Sequence, residues 1–236
     1  MTTWTDDALA DPHNRPDKAD RVRSMFGSIA RSYDLNNRLH SFGRDQAWRR
    51  AAVKAAGVRD GDRVLDVACG TGDLAEAFTR TGASEVVGVD FTPEMLDLAR
   101  RKKTRLDAPR ASRLDYEQGD AMDLRFEDAS FDVVSIAFGI RNVSTPSKAL
   151  AEFRRVLRPG GRLVVLEFDR PPNPAIRIGH HFYTNVVMPR TATLLSRDRS
   201  GAYRYLPRSV ETFLGRDEMV AALREAGFSD VWVKSL

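Results

Sequence analysis

A chain of 236 residues is long enough for one α/β domain with extensions, and its core needs no metal or disulfide to hold it. The single cysteine, Cys69, excludes an intrachain disulfide and a cysteine-based zinc site, which suits a reducing cytoplasm. Hydrophobic residues make up 42% and the net charge is only +4, so the composition is that of a soluble globular protein, and no apolar run approaches the roughly 18 residues of a membrane span.

The N-terminal stretch MTTWTDDALADPHNRPDKAD is polar and acidic, unlike a signal peptide, and residues 1–18 read as a disordered tail. Helical periodicity starts near Asp20, carried by Val22, Met25, Phe26, Ile29, Ala30 and Tyr33, and turn residues at Asn36 and Asn37 separate it from a second helix over 43–56. RVLDVA predicts a buried strand, followed by glycines and a helix over 73–81. EVVGVD (85–90) predicts a second strand and TPEMLDLARRKK (92–103) a helix opened by proline. Strands at 114–118, 131–137 and 162–168, with helices at 147–157 and 216–226, continue the alternation. This alternation predicts a mostly parallel twisted sheet with helices on both faces, a Rossmann-like α/β fold. Residues 171–214 break the pattern and read as a lid-like insertion, and SDVWVKSL predicts a final strand. The expected organisation is a single domain over 19–236 with N-terminal helices over 19–57.

The sharpest local signal is VLDVACGTGDLA, where a strand ends at Asp66, Gly70 and Gly72 let the chain turn, and a helix begins at once. Asp90 closes the second strand 20 residues after Gly70, where a carboxylate can accept hydrogen bonds from ribose hydroxyls. A nicotinamide enzyme and a methyltransferase both fit to this point. Gly119-Asp120-Ala121 after the third strand suits an adenine contact, Pro159-Gly160-Gly161 precedes the fifth strand, and no second phosphate-binding glycine loop is present. Together these stations resemble the motif series of the class I methyltransferases. The resemblance implies S-adenosylmethionine as cofactor, with Asp66, Gly70, Thr71 and Gly72 at its methionine part, Asp90 and Phe91 at the ribose, and Asp120, Ala121 and Ala137 completing the site.

Further residues narrow the family. FGSIA (26–30) with YDLNN (33–37), Leu39, SFG (41–43) and Trp48-Arg49, then FGIRNV (138–143) and YRYLPRSV (203–210), resemble the ubiquinone/menaquinone-biosynthesis C-methyltransferases in order and spacing. That family commonly has serine where Ala137 stands, which leaves a backbone contact alone, and it ends in a further glycine-rich apolar strand beyond the point where this chain stops. Ala68 stands where many methyltransferases have the first glycine of the loop. The resemblance implies C-methylation of a prenylated quinol, demethylmenaquinol first; a benzoquinol or another small molecule is the alternative, ahead of an oxidoreductase or a non-catalytic cofactor-binding protein.

Such chemistry needs a ring phenolate stabilised and a ring carbon positioned. Arg141, always charged, is the first candidate for stabilisation, against a structural arginine paired with a carboxylate. Tyr33 and Asp34 are candidates to orient a hydroxyl, against packing and capping. Phe138, Asn142, Tyr203 and Tyr205 are candidates to line the quinol slot. His180-His181 has no third ligand in reach, so no metal is expected. Apolar residues of the insertion (Phe182, Val186, Val187, Met188, Leu194, Leu195) with Arg177, Arg190, Arg197 and Arg199 suit reversible contact at the inner face of the cell membrane. No nucleic-acid partner is expected, since no [DNS]PP[YF] element follows the fourth strand; a homodimer is compatible with the sequence.

Overall fold

The structure, a computed structural model, describes residues 4–170, 179, 183–196, 198 and 200–236. Five strands, β1 (Arg63–Val67), β2 (Glu85–Asp90), β3 (Leu114–Gln118), β4 (Phe131–Ala137) and β5 (Leu157–Leu166), form one sheet in the order β3-β2-β1-β4-β5. Every pairing is parallel. Strands buried on both faces explain the near-continuous apolar runs in RVLDV and EVVGVD. The strand order reverses between β1 and β4, and in such sheets the crevice beyond the carboxyl ends at that point takes ligands.

The helices are α1 (Asp6–Ala10), α2 (Lys18–His40), α3 (Arg44–Ala56), α4 (Asp73–Phe78), α5 (Pro93–Lys103), α6 (Ala108–Ala111), α7 (Pro146–Val156), α8 (Met188–Ser196), α9 (Ala202–Thr212) and α10 (Arg216–Glu225). On one face of the sheet α3, α4 and α5 bury Ala56, Phe78 and Leu96. On the other, α7 buries Leu150, Phe153 and Val156, with α10 packed beside it. A third cluster joins Met25 and Ile29 of α2 to Ala192, Tyr203 and Tyr205.

Three expectations are corrected. The described part of the supposed disordered tail is ordered: Trp4 is buried and stacks on Tyr205 with ring centroids 4.1 Å apart, and its backbone N–H donates to the Ser200 carbonyl. A large aromatic in an otherwise polar segment supplies the burial that orders it. The first helix does not stop at Asn36. The asparagine is buried and its amide donates to the Ser32 carbonyl one turn back, so a turn-former is accommodated inside α2. SDVWVKSL forms no strand; no described strand pairs with it, and Trp232, Val233 and Leu236 are exposed, so neither ladder nor burial holds an extended conformation.

Candidate active site

A cleft of about 800 Å³, measured into its open mouth, lies over the carboxyl ends of β1, β2 and β4. Its walls bring together stations far apart in sequence: Gly70 after β1, Asp90 and Phe91 after β2, Asp120 and Ala121 after β3, and Ala137 and Phe138 after β4. Val22, Phe26 and Tyr33 of α2 close it from above. These positions belong to the helix periodicity, so the same stripe serves core and cleft.

The loop after β1 carries the local strain. Gly70 and Gly72 have φ of +56° and +85°, and a side chain at Gly72 would run into the Tyr116 ring. Ala68 adopts φ +52° although it has a Cβ, a conformation that favours glycine. The matching turn after β4 places Phe138 at φ +57°, and Gly139 passes so close that an added Cβ would lie 2.6 Å from Ala68 Cβ. The turns after β1 and β4 therefore pack closely beside the cleft, with the Ala68 methyl against the Gly139 backbone.

Three carboxylates face these turns. Asp66 is buried; Ser135 Oγ donates to its Oδ1 at 2.7 Å, while its Oδ2 has no hydrogen-bond partner among the described residues. Burial pushes this carboxyl up to about 7, against the Ser135 bond and the nearby Arg49 charge. Asp90 accepts the Gly70 and Thr92 backbone N–H groups, each at 2.8 Å. Burial raises its pKa and those bonds oppose the shift. Each carboxylate oxygen has two lone pairs, so acceptor capacity remains on the cleft side. Asp120 accepts the Met122 N–H at 2.9 Å.

The candidate catalytic residues separate. Tyr33 lines the cleft, and burial raises its phenol above the ordinary value, so it stays protonated and can donate. Asp34 is engaged elsewhere: Thr71 Oγ1 donates to it at 2.5 Å and Lys102 Nζ at 3.1 Å, while Lys102 also pairs with Asp73. Asp34 and Thr71 thus fasten α2 to the glycine loop and do not line the cleft. Arg141 is buried and committed: its Nη1 donates at 2.7 Å to both Glu167 Oε1 and the Phe138 carbonyl, and its Nε to Ser209 Oγ at 3.2 Å. That is the carboxylate-paired arginine, and it too stays outside the cleft wall. Asn142 lines the cleft; its amide donates to the Phe138 carbonyl at 3.2 Å and its Oδ1 accepts from the Tyr205 hydroxyl at 3.0 Å. Tyr205 is buried behind Asn142 and Tyr203 is buried in the cluster with Met25 and Ile29, so neither lines a slot.

Sequence reasoning passed over two residues. Glu167, the first residue after β5, is partly buried, and its Oε2 is enclosed without a hydrogen-bond partner among the described residues. Lys18 is buried and donates to the Arg141 and Val143 carbonyls at 3.0 and 2.7 Å, and burial pulls its ammonium down to about 8. A carboxylate closing the apolar run LVVLEF, with an arginine after the preceding strand, is the signal by which Glu167 could have been found. Cys69 is a packing residue: burial pushes its thiol well above the ordinary value, and a thiolate is disfavoured. His180, His181, Phe182, Arg177, Arg197 and Arg199 lie outside the described residues, as do the side chains of Val187, Leu194 and Leu195. No group of three or more metal-binding side chains occurs among the described residues.

These residues fit S-adenosylmethionine. Asp66 stands behind the cleft wall, next to Val67 and Ala68 that line it, and its unpartnered oxygen suits a buried cationic amine; the glycine turn leaves open space at Gly70, and the acceptors of Asp90 and Asp120 lie along one cleft. Residues 15–236 match the model of the ubiE/COQ5 methyltransferase family. The chain belongs to that family. It is a methyltransferase, and S-adenosylmethionine is its cofactor. It is 46% identical over 217 residues to a Geobacter ubiquinone/menaquinone biosynthesis C-methyltransferase, covering 91% of each chain. It is 48% identical over 206 residues to the demethylmenaquinone methyltransferase of Thermus thermophilus, covering 87% of this methyltransferase and 91% of that one. Among solved structures, S-adenosylmethionine-dependent methyltransferases of Thermotoga maritima and Aquifex aeolicus share the fold. Their TM-scores are 0.60 and 0.58, their identities 20% and 18%; the matches cover 89% and 82% of this chain and 82% and 87% of theirs.

Proposed function

We propose that this methyltransferase methylates a ring carbon of demethylmenaquinol, completing the menaquinone ring. The single observation that carries the reading is its 48% identity to a demethylmenaquinone methyltransferase across nearly the whole chain. The reading also covers a single domain, into which the N-terminal segment from Trp4 packs, and work in the cytoplasm at the inner face of the membrane, with or without a homodimer.

When bound, S-adenosylmethionine supplies an electrophilic methyl group. Asp66 holds the amino group of the cofactor, Asp90 its ribose and Asp120 with Ala121 its adenine; at Ala137 only backbone is offered. An aromatic carbon becomes nucleophilic when a neighbouring ring hydroxyl ionises, so the site must favour the phenolate. Tyr33 and Asn142, both on the cleft wall, present an O–H and an amide for that oxygen. Arg141 contributes by position: bound to Glu167, it fixes the Phe138 carbonyl, and through it the Phe138 ring and the Asn142 amide. Phe138 stacks on Phe168 at 4.6 Å, with Trp48 edge-on to both, which gives the quinol ring an aromatic wall.

Turnover of reduced demethylmenaquinol beside the corresponding benzoquinol tests the branch. Preference for the naphthoquinol supports the reading; preference for the benzoquinol assigns the ubiquinone branch, which the names of the Geobacter relatives also carry. Cofactor binding with neither quinol turned over sinks the quinol assignment.

A further inference from the structure

The corner where α2 turns into α3 exposes the wrong side chains for a surface that meets only water. Leu35, Leu39 and Phe42 recur at i, i+4 and i+7 and are 58%, 54% and 81% exposed. Phe42 is held at φ +53°, a left-handed conformation that is a genuine outlier for an aromatic residue, and Gly43 follows at +75°. The turn thus carries an unfavourable backbone conformation to place a large ring outward. Between residues 31 and 50 the other exposed residues are Arg31, Arg38, Arg44, Ala47 and Arg50; the one carboxylate side chain with comparable exposure, Asp34, is paired with Lys102 at 3.1 Å. Arg38 pairs with the buried Asp45 at 3.1 Å and lies 3.9 Å from Asp73, so part of its charge is answered. Arg44 lies 5.8 Å above the Trp48 ring, the same Trp48 that touches Phe138 on the cleft wall.

An apolar ridge ringed by arginines, its nearest acid Asp34 already paired with Lys102, matches the surface of an anionic bilayer, with acyl chains for the leucines and phenylalanine and headgroups for the guanidinium groups. We propose that the α2–α3 corner, led by Leu35, Leu39 and Phe42, docks this methyltransferase on anionic lipid bilayers and turns the Trp48–Phe138 side of the cleft toward the membrane. This site lies on described residues of α2 and α3 and adjoins the insertion over 171–214 at Tyr183, whose hydroxyl lies 3.2 Å from His40 Nδ1 and whose ring centroid lies 6.1 Å from that of Phe42. It deepens the quinol reading, because a prenylated substrate resides in the bilayer, but the surface itself stands on its own observations.

Co-sedimentation of the full chain with vesicles of phosphatidylcholine alone, or with phosphatidylglycerol added, tests it. The wild type is expected to bind the anionic vesicles, weakly or not at all the neutral ones, and to release with salt. Replacing Phe42 with Asn, which tolerates the left-handed conformation, together with Leu39→Gln is expected to lower binding at least tenfold. Arg31→Gln and Arg44→Gln should each lower it about fivefold, the weight of one basic residue near such a surface. Methylation of a short-chain, water-soluble demethylmenaquinol should be unchanged in all of these variants. Absence of wild-type binding, or undiminished binding by the Phe42→Asn/Leu39→Gln protein, overturns the proposal. So does concentration-dependent self-association that the same double variant abolishes, which assigns the ridge to a second copy. Vesicle binding without turnover of any quinol leaves the docking surface standing and removes the quinol reading; turnover of the soluble quinol without vesicle binding does the reverse.

Discussion

Arg141 and Glu167 meet at 2.7 Å between the ends of β4 and β5, and the guanidinium nitrogen that bonds the carboxylate also bonds the Phe138 carbonyl. Burial raises the Glu167 pKa and the Arg141 charge holds it down, so each group is tolerated inside because of the other. Glu167→Ala leaves a buried cation without its partner and is expected to cost about 3–5 kcal/mol in urea unfolding. Glu167→Gln keeps a hydrogen-bond acceptor of the same shape and should cost less. Both should lower kcat more than they raise the cofactor Kd, because the pair positions Phe138 and Asn142. Equal losses in the two variants would contradict this role.

Asp66 gives a pH signature. Between the ordinary 3.8 and about 7 the folded protein keeps a proton that the unfolded chain has lost, so this group lowers stability as pH rises through that window. Asp66→Asn removes the penalty, and its melting temperature relative to wild type should rise from about pH 5 to about pH 8. Cofactor binding favours the ionised carboxylate and is expected to release a fraction of a proton near neutrality. Titration calorimetry in two buffers of different ionisation enthalpy checks this, and Asp66→Asn should release none.

Much of this was legible in the sequence. Alternating apolar runs and glycine turns specified the parallel sheet, and Gly70, Asp90, Asp120 and Ala137 do converge on one cleft. What stayed hidden depends on contacts across the fold. Asp34 looked poised for chemistry, but its carboxylate is taken by Thr71 and Lys102, 37 and 68 residues away along the chain. For Arg141 a carboxylate-paired role stood beside the stabilising one, but the partner, Glu167, lies 26 residues on at the end of another strand. Trp4 sat in a stretch whose average polarity reads as a tail, although one buried ring suffices to fasten it. No local pattern reports a partner that arrives from another strand.

The N-terminal segment is expected to support the site. Trp4 stacks on Tyr205, whose hydroxyl holds Asn142. Trp4→Ala should cost about 3–5 kcal/mol by the usual weight of a buried aromatic and lower kcat through Asn142. Chemical denaturation and steady-state turnover check both parts; a loss of stability with unchanged kcat would separate the segment from the site.

Ala68 and Gly139 should behave as a coupled pair. Gly139→Ala forces a Cβ to within 2.6 Å of Ala68 Cβ and crowds Ile136, and overpacking of this kind costs about 1–3 kcal/mol. Ala68→Gly relieves the φ of +52° and removes the clashing carbon, so it should be neutral or mildly stabilising alone and should restore part of the Gly139→Ala loss. A thermal-melt double-mutant cycle measures the coupling; simple additivity would show that the two turns do not touch as described.

The most direct test of the central claim is the position of the transferred methyl group. The protein is incubated with carbon-13 methyl-labelled S-adenosylmethionine and reduced demethylmenaquinol, and the product is examined by NMR. The account predicts a label on the open ring carbon of the naphthoquinol, with loss of the ring proton there. A label on a ring oxygen, or none on the quinol while the cofactor binds, would contradict it.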